Sequence, residues 1–210
     1  HPLTIGTGGY AQFAGTFAGG TADIVITVNN VTPFTLAGGA FTSTSGTLSL
    51  ACGTYDIKAF VFTGGSFQHN NGTLLFASAY SQTWARYQTI TVALPLSLHH
   101  LSFIGGNSQA DKSFQYGIMP YVLSQSAGAT VSVYGDFTMR RNDANTNRTV
   151  SLAGGEIELY GNVIAGPGAA GGTTKLVIKG DGDRTYETAT AAQRNFEYNY
   201  LVRDSLLPRL

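Results

Sequence analysis

Short stretches of alternating apolar and polar residues, separated by clusters of Gly, Ser, Thr and Asn, most limit how this chain of 210 residues can fold. Residues 45–65, SGTLSLACGTYDIKAFVFTGG, alternate up to Cys52-Gly53 and then again up to Gly64. This pattern predicts two half-buried strands of one sheet joined by a tight turn. The turn-forming clusters recur about every 8 to 14 residues, which is typical of a β-sandwich or barrel. We therefore expect an all-β protein.

Further alternating segments predict strands along the whole chain, and helix signals are scarce. The segments are TADIVITVN, GTLLFASAY, YQTITVALPL, FQYGIMPYVL, ATVSVYGDFTM, EIELYGNVI and TKLVIKG. Near the end, NFEYNYLVRD alternates and predicts another strand, whereas the Ala-rich residues before it also suit a turn or two of helix. We find no repeat of 20–50 residues in the sequence.

A polar stretch, MRRNDANTNRT, marks a change of composition near residue 140. Residues 1–20 are rich in glycine and weakly apolar, which predicts an extended N-terminal arm on a neighbouring subunit or a flexible terminus. We expect residues 21–140 to form a β-sandwich and residues 141–210 a β-rich extension. The alternative is one domain in which the polar stretch is a long surface loop.

Charge is sparse and unevenly placed. The 12 basic and 12 acidic residues balance, and charged residues make up 11% of the chain, less than half of the usual share of about 25%. A nucleic-acid-binding face, which requires clustered basic residues, is not indicated. Up to residue 110 the charged residues are Asp23, Asp56, Lys58 and Arg86. Such a surface is poorly protected against self-association, so we expect it to contact copies of the chain or other proteins.

The ends of the chain and its apolar segments bear on its location. The most apolar window, ITVALPLSLHHLSFI, is too short to span a membrane and contains Pro95 and the pair His99-His100. The sequence starts at His1, which removal of an initiator methionine does not ordinarily expose, so we expect proteolytic processing or a boundary of the expressed segment. Processing favours a virion or extracellular location. The N-glycosylation pattern, relevant only on a glycosylating secretory route, begins at Asn30, Asn71 and Asn147.

Two glycine patterns imitate dinucleotide-binding fingerprints. GTGGYA covers residues 6–11 and GPGAAG covers residues 166–171. The fingerprint requires a strand before the glycines and a helix after them, and neither segment has both. We expect two loops, the second joining a hairpin, and no bound cofactor.

The histidines and the single cysteine form no metal-binding pattern. His99 and His100 are adjacent, so on a strand their side chains point to opposite faces. An N-terminal histidine binds copper in the lytic polysaccharide monooxygenases, but apart from His1 the pattern of that family is absent. Cys52 has no partner for an internal disulfide, and we expect it to be a small buried apolar residue.

Carboxylates offer no catalytic arrangement. Asp181 and Asp183 lie two residues apart in a glycine turn, as in some Ca²⁺ loops, but the remaining ligands of such a loop are missing, so we expect a solvated turn. Glu156 and Glu158 share one strand face and suit an exposed sheet edge. No segment brings together a nucleophile, a base and an orienting group, so we predict no catalytic, cofactor-binding or metal-binding residues and no enzyme activity.

Residues 40–137 resemble the C1q/TNF-like jelly-roll domain, as in bacteriophage fibre heads and other virion proteins. The resemblance is carried by L-x-L-x-x-G-T-Y-x-I-x-A, which starts at Leu48, and by SAGATVSVYG. It implies a jelly-roll-type antiparallel β-sandwich that assembles into a trimer and contacts a receptor or partner through loops. The chain continues about 70 residues beyond the last matching strand, unlike most members of this family.

Three functions follow from these observations. The first is a structural virion protein, such as a capsid, spike or fibre component, that acts through contacts between subunits. The second is an extracellular, pilus-like filament subunit whose arm, residues 3–17, adds a strand to the next subunit. The third is a secreted carbohydrate-binding β-sandwich that uses exposed aromatic residues such as Trp84, Tyr87 and Tyr116.

Overall fold

The computed structural model describes eight segments of the chain, which contain twenty β-strands and no helix. The segments are residues 1–52, 57–78, 88–105, 117–141, 148–169, 172–180, 185–188 and 201–203. The prediction of an all-β protein is therefore confirmed.

The strands form three sheets, named A, B and C here. Sheet A consists of β1 (Leu3–Ile5), β4 (Ile24–Val28), β6 (Thr47–Cys52), β8 (Thr73–Ser78), β11 (His100–Gly105), β14 (Phe137–Arg141), β17 (Val163–Ala165) and β19 (Tyr186–Thr188). Sheet B consists of β2 (Tyr10–Gln12), β3 (Thr16–Ala18), β5 (Phe34–Thr42), β7 (Ile57–Gln68), β9 (Gln88–Val92), β12 (Gly117–Gln125) and β15 (Arg148–Ala153). Sheet C consists of β10 (Leu96–Leu98), β13 (Val131–Val133), β16 (Glu156–Leu159), β18 (Lys175–Ile178) and β20 (Leu201–Arg203).

The chain winds through these sheets in stacked coils. Every described pairing between neighbouring strands is parallel. The chain passes from sheet A to sheet B, and from β10 onward it also visits sheet C. Coil length varies, since Leu3 pairs with Ile24, 21 residues later, whereas Leu101 pairs with Phe137, 36 residues later. Parallel strands stacked in this way form a β-solenoid.

Apolar side chains from the three sheets fill the interior of the coils. In β4, Ile24 and Ile26 are buried and Thr27 is exposed, because successive side chains of a strand point to opposite faces. The parallel register places like residues on like, so that the rings of Phe34 and Phe60 stack with centroids 5.0 Å apart and planes 5° apart. Burying such a ring stabilises the fold by about 1.5–3 kcal/mol.

Glycines permit a bend in the longest strands of sheet B. Gly39 in β5 and Gly65 in β7 have φ angles of 79° and 78°, in the left-handed region that favours glycine. A Cβ atom on Gly65 would meet the carbonyl oxygen of Gly39 in the neighbouring coil. The pairing of β5 with β7 is irregular just before these glycines, and β2 and β3 pair with β5 on either side of the bend.

The predicted jelly-roll-type antiparallel sandwich is wrong. Alternation shows which side chains point inward, but parallel coils and antiparallel hairpins share that two-residue period. The two strands expected to be neighbours in residues 45–65 are β6 and β7, which lie in sheets A and B. These two strands therefore belong to different sheets and do not form a hairpin.

The N-terminal residues do not form a separate extended arm. Strand β1 pairs with β4, and both β2 and β3 pair with β5 of the same chain. The rings of Tyr10 and Phe17 lie against the rings of Phe34 and Phe41. Residues 3–18 thus complete the first coil and cover the aromatic core of the next one.

The C-terminal part continues the same stack. Strand β14 spans residue 140, where composition changes, and β15 to β20 extend the three sheets. The coils also constitute a structural repeat, although none was found in the sequence. Their variable length hides the period, because no fixed spacing relates one coil to the next.

Candidate functional site

One corner of the solenoid collects aromatic, imidazole and charged side chains. Each strand of sheet C from β10 to β18 is followed by a residue that begins the turn towards sheet A. The parallel register aligns Leu98, Val133, Leu159 and Ile178. The residues that follow them form a row along the solenoid, one in each coil: His99, Tyr134, Tyr160 and Lys179. This row and the outward side chains of β13 and β16, Ser132 and Glu158, are called the corner strip below.

Two tyrosines form the centre of the corner strip. The rings of Tyr134 and Tyr160 are stacked, with centroids 4.8 Å apart and planes 21° apart. This separation is close to the distance between neighbouring strands, about 4.7–4.9 Å, because each ring belongs to one coil. Tyr134 is 49% exposed. Tyr160 is half-buried, so the pair forms an ordered aromatic stack that is partly open to solvent.

The Glu158 carboxylate lies beside the tyrosines and is held by three groups. The hydroxyls of Ser132 and Tyr160 donate to Oε2 at 3.1 and 3.4 Å, and the Lys179 ammonium lies 3.8 Å from Oε1. Partial burial and then the Glu158 charge raise the pKa of the Tyr160 phenol. A carboxylate fixed in this way is a positioned hydrogen-bond acceptor.

A second ion pair lies on the same face of sheet C. Lys175 Nζ is 2.8 Å from Glu156 Oε2, with both side chains partly exposed. Glu156 and Glu158 share the outward face of β16, as predicted. The expected sheet edge is wrong, because β16 lies between β13 and β18. These carboxylates pair with lysines of the next coil instead of shielding an edge.

A row of polar residues just before the strands of sheet A satisfies backbone groups. Asp23 Oδ1 accepts a hydrogen bond from the Thr47 N–H at 2.8 Å, and His100 Nδ1 accepts one from the Asp136 N–H at 2.9 Å. Further along, Asn162 Nδ2 donates to Asp136 Oδ1 at 2.9 Å, and Asn162 Oδ1 accepts the N–H of Thr185 at 3.1 Å. These side chains join successive coils, so their first role is structural.

Three histidines gather at the end of the corner strip that His99 forms. The ring centroids of His99 and His100 are 4.3 Å apart, and those of His69 and His99 are 5.7 Å apart. The expectation that His99 and His100 point to opposite faces is wrong, because His99 occupies the bend between β10 and β11. Among the described residues, no group of three or more His, Cys, Asp and Glu is arranged to hold a metal ion.

Burial and the proximity of His99 favour the neutral rings of His69 and His100. Burial, followed by the proximity of His99, lowers the pKa values of His69 and His100. For His100 the Asp136 carboxylate opposes this shift. In addition, His69 Nδ1 accepts the N–H of Asn71 at 2.9 Å. Since Nδ1 of both His69 and His100 is an acceptor, the neutral rings carry their proton on Nε2.

The described interior cavity is too small to hold a ligand. The cavity between Phe76, Leu101 and Leu123 encloses about 10 Å³ and is lined by apolar side chains. A water molecule needs about 10–15 Å³ and several polar partners.

The sequence-based candidates are distributed as follows. Cys52 is a buried residue at the end of β6, as predicted. Asn30 and Asn71 lie in turns with φ angles of 61° and 57°. The other candidates lie outside the described residues: Trp84, Tyr87, Tyr116, Asn147, Asp181 and Asp183.

The two glycine patterns lie in connections. Residues 6–9 form the turn between β1 and β2, so the prediction of a loop is confirmed there. Residues 166–169, the described part of the second pattern, follow β17 of sheet A. The next strand, β18, belongs to sheet C, so the prediction of a hairpin is wrong.

Sequence reasoning missed the corner strip, although the chain contained a signal for it. The segments VYGDF and LYGNV carry Tyr134 and Tyr160 at the same position, each before a glycine and then Asp or Asn. In the structure these two segments stack directly, since Val133 pairs with Leu159 and Phe137 with Val163. A pair of matched pentapeptides thus marked two consecutive coils.

The fold and the surface define the class of this protein: an all-β parallel solenoid with an ordered aromatic and charged corner. No family model, curated protein or solved structure matches the chain. The similarity to C1q/TNF-like domains therefore stays a prediction, apart from the jelly-roll topology, which the sheets contradict. Within the described residues, no helix is long and apolar enough to cross a membrane.

Proposed function

We propose that the protein is a structural component of a virion or extracellular assembly and acts through contacts of its sheet faces with copies of itself or with other structural proteins. The observation that carries this proposal is the near absence of charge on the first twelve strands. From β1 to β12, Lys58 is the one Asp, Glu, Lys or Arg residue that lies in a strand.

The outward side chains of these strands suit close packing against another protein. On sheet A, the half-buried outward side chains include Val25, Leu75 and Ile104. On sheet B, they include Val61 and Thr91. Uncharged aliphatic and hydroxyl side chains of this kind bring two surfaces together without leaving a buried charge unpaired, which would cost several kcal/mol. A solenoid face is also regular in its backbone, so that a symmetric copy meets equivalent strand positions in successive coils.

Introducing a charge on one face tests this proposal. Thr91→Glu places a carboxylate on the outward face of sheet B, and we expect it to convert assembled protein into monomers. The matched control is Ala127→Glu, because Ala127 lies in an exposed turn between β12 and β13. Analytical ultracentrifugation measures assembly, and circular dichroism checks that both variants fold.

The outcome decides between a contact surface and an isolated molecule. Assembly of the parent protein and of Ala127→Glu, together with monomeric Thr91→Glu, supports the proposal for sheet B. If the parent sediments as a monomer at all accessible concentrations, or if Thr91→Glu assembles like the parent, sheet B is not the contact surface.

The filament alternative needs a free donor strand. In the structure β1, β2 and β3 already pair within their own chain, so donation would require the first coil to open. Deletion of residues 1–20 distinguishes the two mechanisms. Under the filament alternative, polymers are lost while the remaining coils stay folded. Assembly through the part of sheet B around Thr91, which lies outside the deletion, persists.

A further inference from the structure

The corner strip combines features that are not explained by contacts between the sheet faces of neighbouring subunits. Its tyrosines are stacked and partly exposed, and its carboxylate is held from three sides. The sheet faces described above carry small uncharged groups instead. A fixed aromatic surface beside a positioned acceptor is a typical arrangement for binding a ligand that has both apolar and hydroxyl-bearing surfaces.

The charge on the strip is balanced. Glu158 lies beside Lys179, and Glu156 forms an ion pair with Lys175. Each lysine is therefore compensated by a carboxylate of the neighbouring coil. A nucleic acid or another polyanion requires basic groups that are free to contact phosphate or carboxylate. The strip thus favours a ligand without net charge.

The corner strip runs along the solenoid axis, so an elongated ligand would lie parallel to that axis. One side chain of the row comes from each of four consecutive coils, from His99 to Lys179, and the two tyrosine rings are 4.8 Å apart. A chain that lies along the solenoid axis therefore meets an equivalent position in each of these four coils. A compact ligand would contact one or two of these positions at most.

We propose that the corner strip binds a segment of neutral polysaccharide that runs along the solenoid axis. The apolar faces of the sugar rings contact the exposed parts of Tyr134 and Tyr160. Sugar hydroxyls donate to the Glu158 carboxylate and exchange hydrogen bonds with the tyrosine hydroxyls. Because the contacts within the strip already hold these groups in place, little side-chain freedom is lost on binding.

Binding to soluble polysaccharides tests the proposal. The probes are dextran, galactomannan, mixed-linkage β-glucan and xylan, with polygalacturonate and single-stranded DNA as charged comparators. We expect at least one neutral polymer to bind, as measured by affinity electrophoresis and calorimetry. Tyr134→Ala should weaken this binding tenfold or more, and Tyr134→Phe should weaken it less because the ring remains.

Phe13→Ala is the matched control, since Phe13 is an aromatic residue that is 73% exposed in the first coil. It should bind like the parent protein. Melting temperatures verify that all variants are folded, which we expect because both aromatic side chains are largely outside the core. The proposal is overturned if no neutral polymer binds, if Tyr134→Ala binds as the parent does, or if the charged comparators alone bind.

This site is separable from the assembly surface. Thr91→Glu should lose assembly and keep polysaccharide binding, whereas Tyr134→Ala should lose binding and keep assembly. Loss of both properties in both variants would contradict two independent surfaces.

Discussion

At the scale of single residues, the core contains one polar group that works against stability. The Tyr121 hydroxyl is buried and has no hydrogen-bond partner among the described residues. Burial raises the pKa of this phenol far above its ordinary value. A hydroxyl that loses its hydrogen bonds to water without replacing them destabilises the folded state.

We therefore predict that Tyr121→Phe stabilises the protein. The free energy of unfolding should rise by about 1–2 kcal/mol, because the ring keeps its contacts with Phe76 and Phe103. Urea denaturation followed by circular dichroism measures the change. Tyr134→Phe, at an exposed ring, should leave the free energy of unfolding unchanged. A loss of stability in Tyr121→Phe would show that the hydroxyl has a partner.

The histidine cluster makes stability depend on pH. The pKa of His100 is lower in the folded protein than its ordinary value, so the unfolded chain binds more protons as the pH falls through about 6.5. The stabilisation is complete above that pH and is lost as the pH falls towards the folded pKa. Protonation also removes the bond from the Asp136 N–H to His100 Nδ1.

We predict that the melting temperature falls between pH 7.5 and pH 5 and falls less in His100→Asn. An asparagine can replace the histidine as acceptor, because at the equivalent position of a later coil Asn162 Oδ1 accepts the backbone N–H of Thr185. Thermal melts at several pH values provide the measurement. His69 contributes a shift of the same sign, so His100→Asn should reduce the pH dependence without removing it. An unchanged slope in His100→Asn would exclude His100 as a source.

At the scale of strands and turns, the bend in sheet B depends on glycine for two separate reasons. Gly65 has a φ angle of 78°, and a Cβ atom there would meet backbone of the adjacent coil. Gly128 has nearly the same φ angle, 79°, but no atom lies within 4 Å of an added Cβ. A substitution at Gly128 therefore tests backbone strain alone, whereas one at Gly65 tests backbone strain together with the close approach of two coils.

We predict that Gly128→Ala lowers the free energy of unfolding by about 1–2 kcal/mol, the usual cost of a left-handed alanine. Gly65→Ala should cost clearly more, because β5 and β7 must also move apart. Urea denaturation of both variants measures the difference. Equal losses would mean that the coils separate at Gly65 without cost.

Much of the local structure at this scale was predictable from the sequence. The alternation in TADIVITVN identified the inward residues of β4 correctly, because the two-residue period follows from strand geometry alone. The pairing was not predictable in the same way. Residues 45–65 contain the same alternation and the same glycine turn that a hairpin would have. Only contacts between residues about one coil apart distinguish the two structures.

At the scale of the whole molecule, the sequence predicted an uncharged surface but did not predict which residues come together in space. The sequence shows that charge is scarce before residue 111, and the structure shows that this scarcity extends to the strands that form the sheet faces. The corner strip could not be assembled from sequence, because Ser132, Glu158 and Lys179 converge only through the parallel register. The matched pentapeptides around Tyr134 and Tyr160 were the available clue.

The unequal coil lengths have a consequence for how such a molecule can change. Leu101 and Phe137 remain paired although 36 residues separate them, whereas 21 residues separate Leu3 from Ile24. The longer coil includes a strand of sheet C, whereas the first coil has strands of sheets A and B alone. A coil can therefore gain a strand on a third side of the stack while the parallel pairing within sheet A continues.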